Sequence, residues 1–189
     1  DIVSCRTLIA PYMPPRLNQD TLRKATVYIA EKNYYERQQL RELFLAQGLK
    51  QVVCHATLEA LREMLFENPP DLLVLAADFD AGIFDFIREI RTQQVGENPF
   101  MLISMMVSPT QGQALSRAIE AGVDDIIIKP ISAERVQERL RLVTFHRRPF
   151  IAVNGYVGPE RKSEGQPHGV RRIPVVNTLL EKVNGREMD

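Results

Sequence analysis

Pro69-Pro70-Asp71-Leu72-Leu73-Val74-Leu75-Ala76-Ala77-Asp78-Phe79-Asp80 holds the longest run of branched apolar residues in the chain and then turns abruptly acidic. An apolar run without two-residue alternation, bounded by prolines on one side and acids on the other, is the pattern of a parallel strand covered by helices on both faces. This stretch is therefore the central buried strand. In open parallel sheets the carboxyl ends of the strands carry the chemistry. Here that end offers Ala76, Ala77, Asp78 and Asp80, of which only the two aspartates bear a reactive group.

Outward from this strand the chain alternates. Ala25–Ala30, Gln51–Cys54, Pro99–Met105 and Asp124–Pro130 read as four further strands. Between and after them lie five amphipathic helices, with Leu40, Leu43 and Phe44 on one face of the first and Leu58, Leu61 and Leu65 on the second. Ile83, Phe86, Ile87 and Ile90 mark the third, Leu115, Ala118 and Ile119 the fourth, and Val136, Leu140 and Val143 the fifth. Thr57 and Ser132 are N-caps, Gly48 and Gly122 close helices, and Ser108-Pro109-Thr110-Gln111 has the form of a capping box. Alternating strands and helices require right-handed crossovers. The expected fold is α/β, flavodoxin-like, a doubly wound five-stranded parallel sheet of order 2-1-3-4-5, with an N-terminal arm and a C-terminal tail.

The boundaries follow composition. Residues 1–25 hold Pro11, Pro14 and Pro15 and read as an arm, with a short helix near Gln19–Lys24; residues 26–147 are the folded domain. From 148 to 189 periodicity disappears and Pro, Gly and Arg accumulate. That tail recovers order at its end, where Val176, Leu179, Leu180 and Val183 form a helical stripe behind a possible Asn177 cap. This stripe reads as an interaction tail, docking on the domain itself, on a partner or on a second copy.

With 189 residues and 44% hydrophobic content the chain can bury one good core. Lys plus Arg number 24 and Asp plus Glu 24, with no long block of one sign, which argues against a nucleic-acid partner. No apolar run is long enough to span a membrane and no signal-peptide pattern opens the chain, so a cytoplasmic protein is expected. Cys5 and Cys54 are too few for a disulfide framework, and Cys54 reads as a buried inert thiol. His55, His146 and His168 lack metal-ligand spacing, so no metal site is expected.

The strand ends propose a site lined by Glu31, Lys32, Ala76, Asp78, Ser104 and Lys129. Asp71–Leu75, Asn98–Ser104 and above all Glu120-Ala121-Gly122-Val123-Asp124-Asp125-Ile126-Ile127-Ile128-Lys129-Pro130 resemble the receiver domain of bacterial two-component response regulators, over residues 26–147. The resemblance implies a phosphoryl switch. In that family an aspartate ending strand three takes a phosphoryl group from a phosphohistidine, with magnesium held on carboxylates after strand one. A hydroxyl after strand four and a lysine after strand five then contact the phosphoryl oxygens. Ser104 and Lys129 match the last two, and Lys129-Pro130 matches the family's cis-prone bond.

Three positions depart from that pattern. The phosphoacceptor position falls on Ala76, whose methyl group is no nucleophile. The magnesium-holding acidic pair reads Glu31-Lys32, and the aromatic switch beside the lysine is Ile126. The expectation is a degenerate receiver, a pseudo-receiver that is not an enzyme and needs no cofactor. It would signal through a protein partner such as a histidine kinase, another signalling protein or a second copy in a homodimer. The alternative is a working phosphorelay receiver that accepts the phosphoryl group on Asp78 with magnesium. Plainer readings stand beside these: Glu31 and Lys129 as an ion pair closing the cleft, and Asp78 and Asp80 as helix-capping or solvent-facing acids.

Overall fold

A computed structural model describes residues 17, 20–153, 155–161 and 171–185. Most of the expected arm, together with Cys5 and His168, lies outside the described residues. The central sheet contains β1 (Thr26–Ala30), β2 (Gln51–His55), β3 (Leu72–Ala76), β4 (Leu102–Val107) and β5 (Asp125–Ile128). All pairings are parallel and the order is β2-β1-β3-β4-β5, as the alternation of elements requires. Every residue of β3 and β4 is buried, which is what continuous apolar runs at the sheet centre demand.

Helices α1 (Tyr34–Leu45), α2 (Leu58–Glu67), α3 (Ile83–Arg91), α4 (Ala114–Ala121) and α5 (Ala133–Phe145) follow the five strands in turn. Asn33, Thr57 and Ser132 cap α1, α2 and α5 by accepting backbone N–H bonds in the first turn. The inward stripes are buried at Leu40 and Phe44, at Leu61 and Leu65, at Ile83, Phe86, Ile87 and Ile90, and at Val136, Leu140 and Val143. Before β1, a 3-10 turn spans Thr21–Lys24, and Leu22 and Ala25 belong to the core rather than to an exposed arm.

Two expectations about local structure are corrected. The fourth strand begins at Leu102, not Pro99, and runs on to Val107. The Asn98 side chain accepts from the Phe100 N–H at 2.9 Å, and Arg91 donates to the carbonyls of Pro99 and Met101 at 2.7 Å each. Those backbone groups are thus held in a turn stitched to arginine instead of joining the ladder. The fourth helix begins at Ala114, six residues after Ser108. Ser108–Gln111 closes as a separate turn, in which Gln111 Oε1 accepts from the Ser108 N–H at 3.0 Å and the Gln111 N–H donates to the Ser108 carbonyl at 2.9 Å. Gly112 then costs helix propensity where the chain would have to propagate.

The region expected to be a structureless tail forms an antiparallel sheet of order β7-β6-β8, from β6 (Phe150–Val153), β7 (Tyr156–Pro159) and β8 (Arg172–Ile173). Phe150 is fully buried beneath the guanidinium groups of Arg91 and Arg147, 5.0 and 5.1 Å from its ring. Both arginines bond Asp124 at 2.9 Å, which compensates charges that would be costly to bury alone. Packing is close enough that Gly122, at φ +91°, has no room for a Cβ, which would lie 2.6 Å from the Val157 carbonyl oxygen.

Helix α6 (Thr178–Val183) then packs on α5 and the 3-10 turn. Asn177 caps it by accepting from the Leu180 N–H at 3.2 Å, and donates to the carbonyls of Val143 and Thr144 at the end of α5 at 2.8 and 3.0 Å. Of the expected stripe, Leu179 and Val183 are buried and Leu180 is half-buried. Val176 is exposed, outside the helix, and its carbonyl accepts from Arg147. The stripe is therefore docked on its own chain, with Val176 excluded because the Asn177 cap starts the helix one residue later.

Candidate functional site at the carboxyl ends of the strands

The parallel register brings the ends of β1, β3 and β5 together, as the sequence proposed. Glu31 directly follows β1 and is buried. Its Oε1 accepts from the Asn33 N–H at 2.9 Å and its Oε2 from Lys129 Nζ at 3.0 Å. Lys129 directly follows β5, behind a cis Lys129-Pro130 bond, and its Nζ also meets Glu36 Oε2 at 2.5 Å. Burial would push the Lys129 ammonium down, but hydrogen bonds to Glu36 and Glu31 outweigh it and hold the group above the ordinary lysine range. Arg37 donates to the carbonyls of Glu31 at 2.6 Å and Lys32 at 3.2 Å, so the loop after β1 is pinned from α1.

A second pair forms at the rim. Lys32 Nζ lies 3.7 Å from Asp78 Oδ2, with both side chains substantially exposed. Ala76, the last residue of β3, is fully buried, and its level in the sheet is matched by Met106 of β4. Asp80 accepts from the Gly82 N–H at 2.7 Å, at the entry to α3. Ile126 is half-buried on β5, level with Met105.

Ser104 is the residue the structure moves out of the site. It is the third residue of β4, buried, level with Val74 and Asp125, and so two residues short of the level of Ala76. The cause is the late start of β4: a strand beginning at Pro99 would end near Ser104, whereas this one ends at Val107. The hydroxyl that follows the strand is Ser108, next to the backbone bond from the Lys129 N–H to the Val107 carbonyl. Sequence reasoning used Ser108 only as a helix cap. It also missed Glu36, although Asn33-x-x-Glu36 is a capping-box spacing that places an acid at the first turn of α1.

The donor set does not fit magnesium. Magnesium takes oxygen ligands in a near-octahedral shell. Both Glu31 oxygens already accept from internal donors, Asp78 faces an ammonium, and two lysines stand where a dication would add further positive charge. Among the described residues no group of three or more potential metal-binding acids, histidines or cysteines occurs.

Comparison with known proteins bears on the fold. Full-length FixJ from B. japonicum is similar at 20% identity and a TM-score of 0.52, covering 62% of this chain and 56% of that one. A response regulator from Thermotoga maritima matches at 17% identity and a TM-score of 0.55, over 63% of this chain and 96% of the other. A signal receiver domain of a two-component histidine kinase from Clostridium thermocellum matches at 17% identity and a TM-score of 0.55, over 64% and 97%. The fold is that of a receiver domain. The chain thus spans little more than half the length of FixJ. No protein-family model matches the sequence, and no curated protein does. In this receiver fold the strand ends hold Lys129 against Glu31 and Glu36, and Lys32 against Asp78. No helix among the described residues is long and apolar enough to cross a membrane.

Proposed function

We propose that this chain is a signalling module of the receiver type that acts through protein contacts, without aspartyl phosphorylation and without catalysis of its own. The observation that carries this reading is the state of the strand ends. Where a receiver needs a nucleophilic carboxylate, the chain ends β3 with the buried methyl of Ala76. The charges around it are already engaged with one another, Glu31 and Glu36 with Lys129, and Asp78 with Lys32. Likeness to response regulators supports a place in two-component signalling, with a histidine kinase, another signalling protein or a second copy as the partner class.

The test is incubation of the whole chain with acetyl phosphate and magnesium, followed by intact-mass measurement and mapping of any adduct. No mass increase is expected. An acyl phosphate on Asp78, the accessible carboxylate at the rim, overturns the reading in favour of a working phosphoryl acceptor.

A further inference from the structure

We propose that the recess between β5, α5 and the C-terminal extension is a binding site for a small organic anion with an apolar body. Its volume is about 390 Å³, inside the range typical of small-ligand sites. It lies on the seam where residues after α5 fold back onto the receiver fold, and seams between structural units are where such sites tend to occur. It is independent of the Ala76 site, so either can fail without the other.

The charge of this recess is out of keeping with the chain. Overall, 24 basic residues balance 24 acidic ones, yet the recess is lined by Arg139, Arg147, Arg148 and Arg161 against Asp124 and Asp125 only. Asp124 is also more committed than the count suggests. Asp124 is shared with Arg91, which bonds its Oδ2 at 2.9 Å, while the Ile103 N–H takes the same oxygen and Arg147 the other. Asp125 accepts from Arg139 on Oδ1 at 3.1 Å, while its buried Oδ2 has no hydrogen-bond partner among the described residues. Two guanidinium groups retain capacity. Arg139 spends a single N–H, on Asp125, and Arg148 is exposed with no acidic partner among the described residues.

Apart from the exposed His146, the rest of the lining is apolar, with Leu115 and Leu142 46% and 40% exposed and Ile126 half-buried. Guanidinium forks favour carboxylate, sulfonate or phosphate heads, in paired, charge-assisted hydrogen bonds. The leucine and isoleucine surface favours a hydrocarbon or aromatic body. The cleft beside Lys129 is of similar size, about 460 Å³, but its one cation is already matched by carboxylates, so nothing there calls for an anion. Because Arg161 donates to the Val123 carbonyl at 2.6 Å, a ligand held by arginines on both sides would also tie the extension to the domain.

The experiment titrates the full chain with 1-anilinonaphthalene-8-sulfonate, an apolar anion whose fluorescence reports burial, then competes it with decanoate and with inorganic phosphate. Saturable one-to-one binding is expected, displaced by decanoate and poorly by phosphate. Arg148→Glu and, separately, Leu142→Glu are each expected to weaken it about tenfold or more, the loss of one charge-assisted contact or of the apolar floor. Both positions are exposed, and an unchanged urea midpoint verifies that the variants fold. Absence of saturable binding, or equal affinity in the wild type and both variants, overturns the site. Displacement by phosphate as effective as by decanoate overturns the ligand class.

Discussion

The Lys129 ammonium stands 3.0 Å from the Glu31 carboxylate, across the whole width of the sequence between the first and fifth strands. Glu31 is 1% exposed, so the pair cannot be broken from one side without leaving a charge in the core. Lys129→Met is expected to destabilise the fold by about 3 kcal/mol. Adding Glu31→Gln should recover much of that loss, which urea denaturation of the single and double variants measures. Because the folded state holds the Lys129 pKa above its ordinary value of 10.5, the pair's contribution is intact below that pH. It is lost only as the pH rises through the folded value, so no weakening from this pair is expected across the neutral range.

The Ala76 site should not be restored by one change. Ala76→Asp adds a carboxylate at a fully buried position, but Lys32 remains at the rim, paired with Asp78. Magnesium binding is expected only in the double variant with Lys32→Asp, read by calorimetry. Equal binding by the single and double variants would show that Lys32 has no part in excluding the metal.

Asn177 joins the last helix to the domain through one cap bond and two bonds to the end of α5. Asn177→Ala removes all three and leaves two buried carbonyls without that donor, a loss of about 1–3 kcal/mol. The expected outcome is faster amide exchange over residues 173–185 with little change in the central sheet. Leu179→Asp should produce the same local release. Slow exchange in both variants would mean that the helix is held by other contacts.

His55 ends β2 with its ring 4.9 Å from that of Tyr28 and with Nε2 lacking a hydrogen-bond partner among the described residues. Burial pushes its pKa below the usual 6.5. The folded state therefore resists a proton that the unfolded chain accepts. Stability is expected to hold above 6.5 and to fall as the pH drops below that value toward the folded pKa. His55→Phe should flatten this acid-side slope, measured as urea midpoints at neutral and mildly acidic pH.

Much of this was legible in one dimension. The run Leu72–Ala76 is apolar without alternation, and only a strand covered on both faces accommodates that. Helix starts at Thr57, Ser132 and Asn177 carry side chains that satisfy local N–H groups, so their signal lies within three residues. The convergence of Glu31 and Lys129 followed from strand order alone. Other features had no local mark. Phe100–Val107 is apolar but for Ser104, and nothing within it says where the ladder begins.

What the sequence by itself determined, then, is whatever depends on short-range periodicity and capping: the five-stranded parallel sheet and its order. The tertiary structure alone decided the start of β4, because Arg91 and Arg147 reach from α3 and from beyond α5 to take the carbonyls of residues 99–101. That shift carries Ser104 into the core. It likewise decided that Phe150–Val153, Tyr156–Pro159 and Arg172–Ile173 form a sheet, since strands of two to four residues have too little sequence to show a period and gain stability only from pairing and from burying Phe150. The assignment of Glu36 to Lys129 is of the same kind: an acid at a helix start has several possible partners, and only the approach of α1 to the end of β5 selects one.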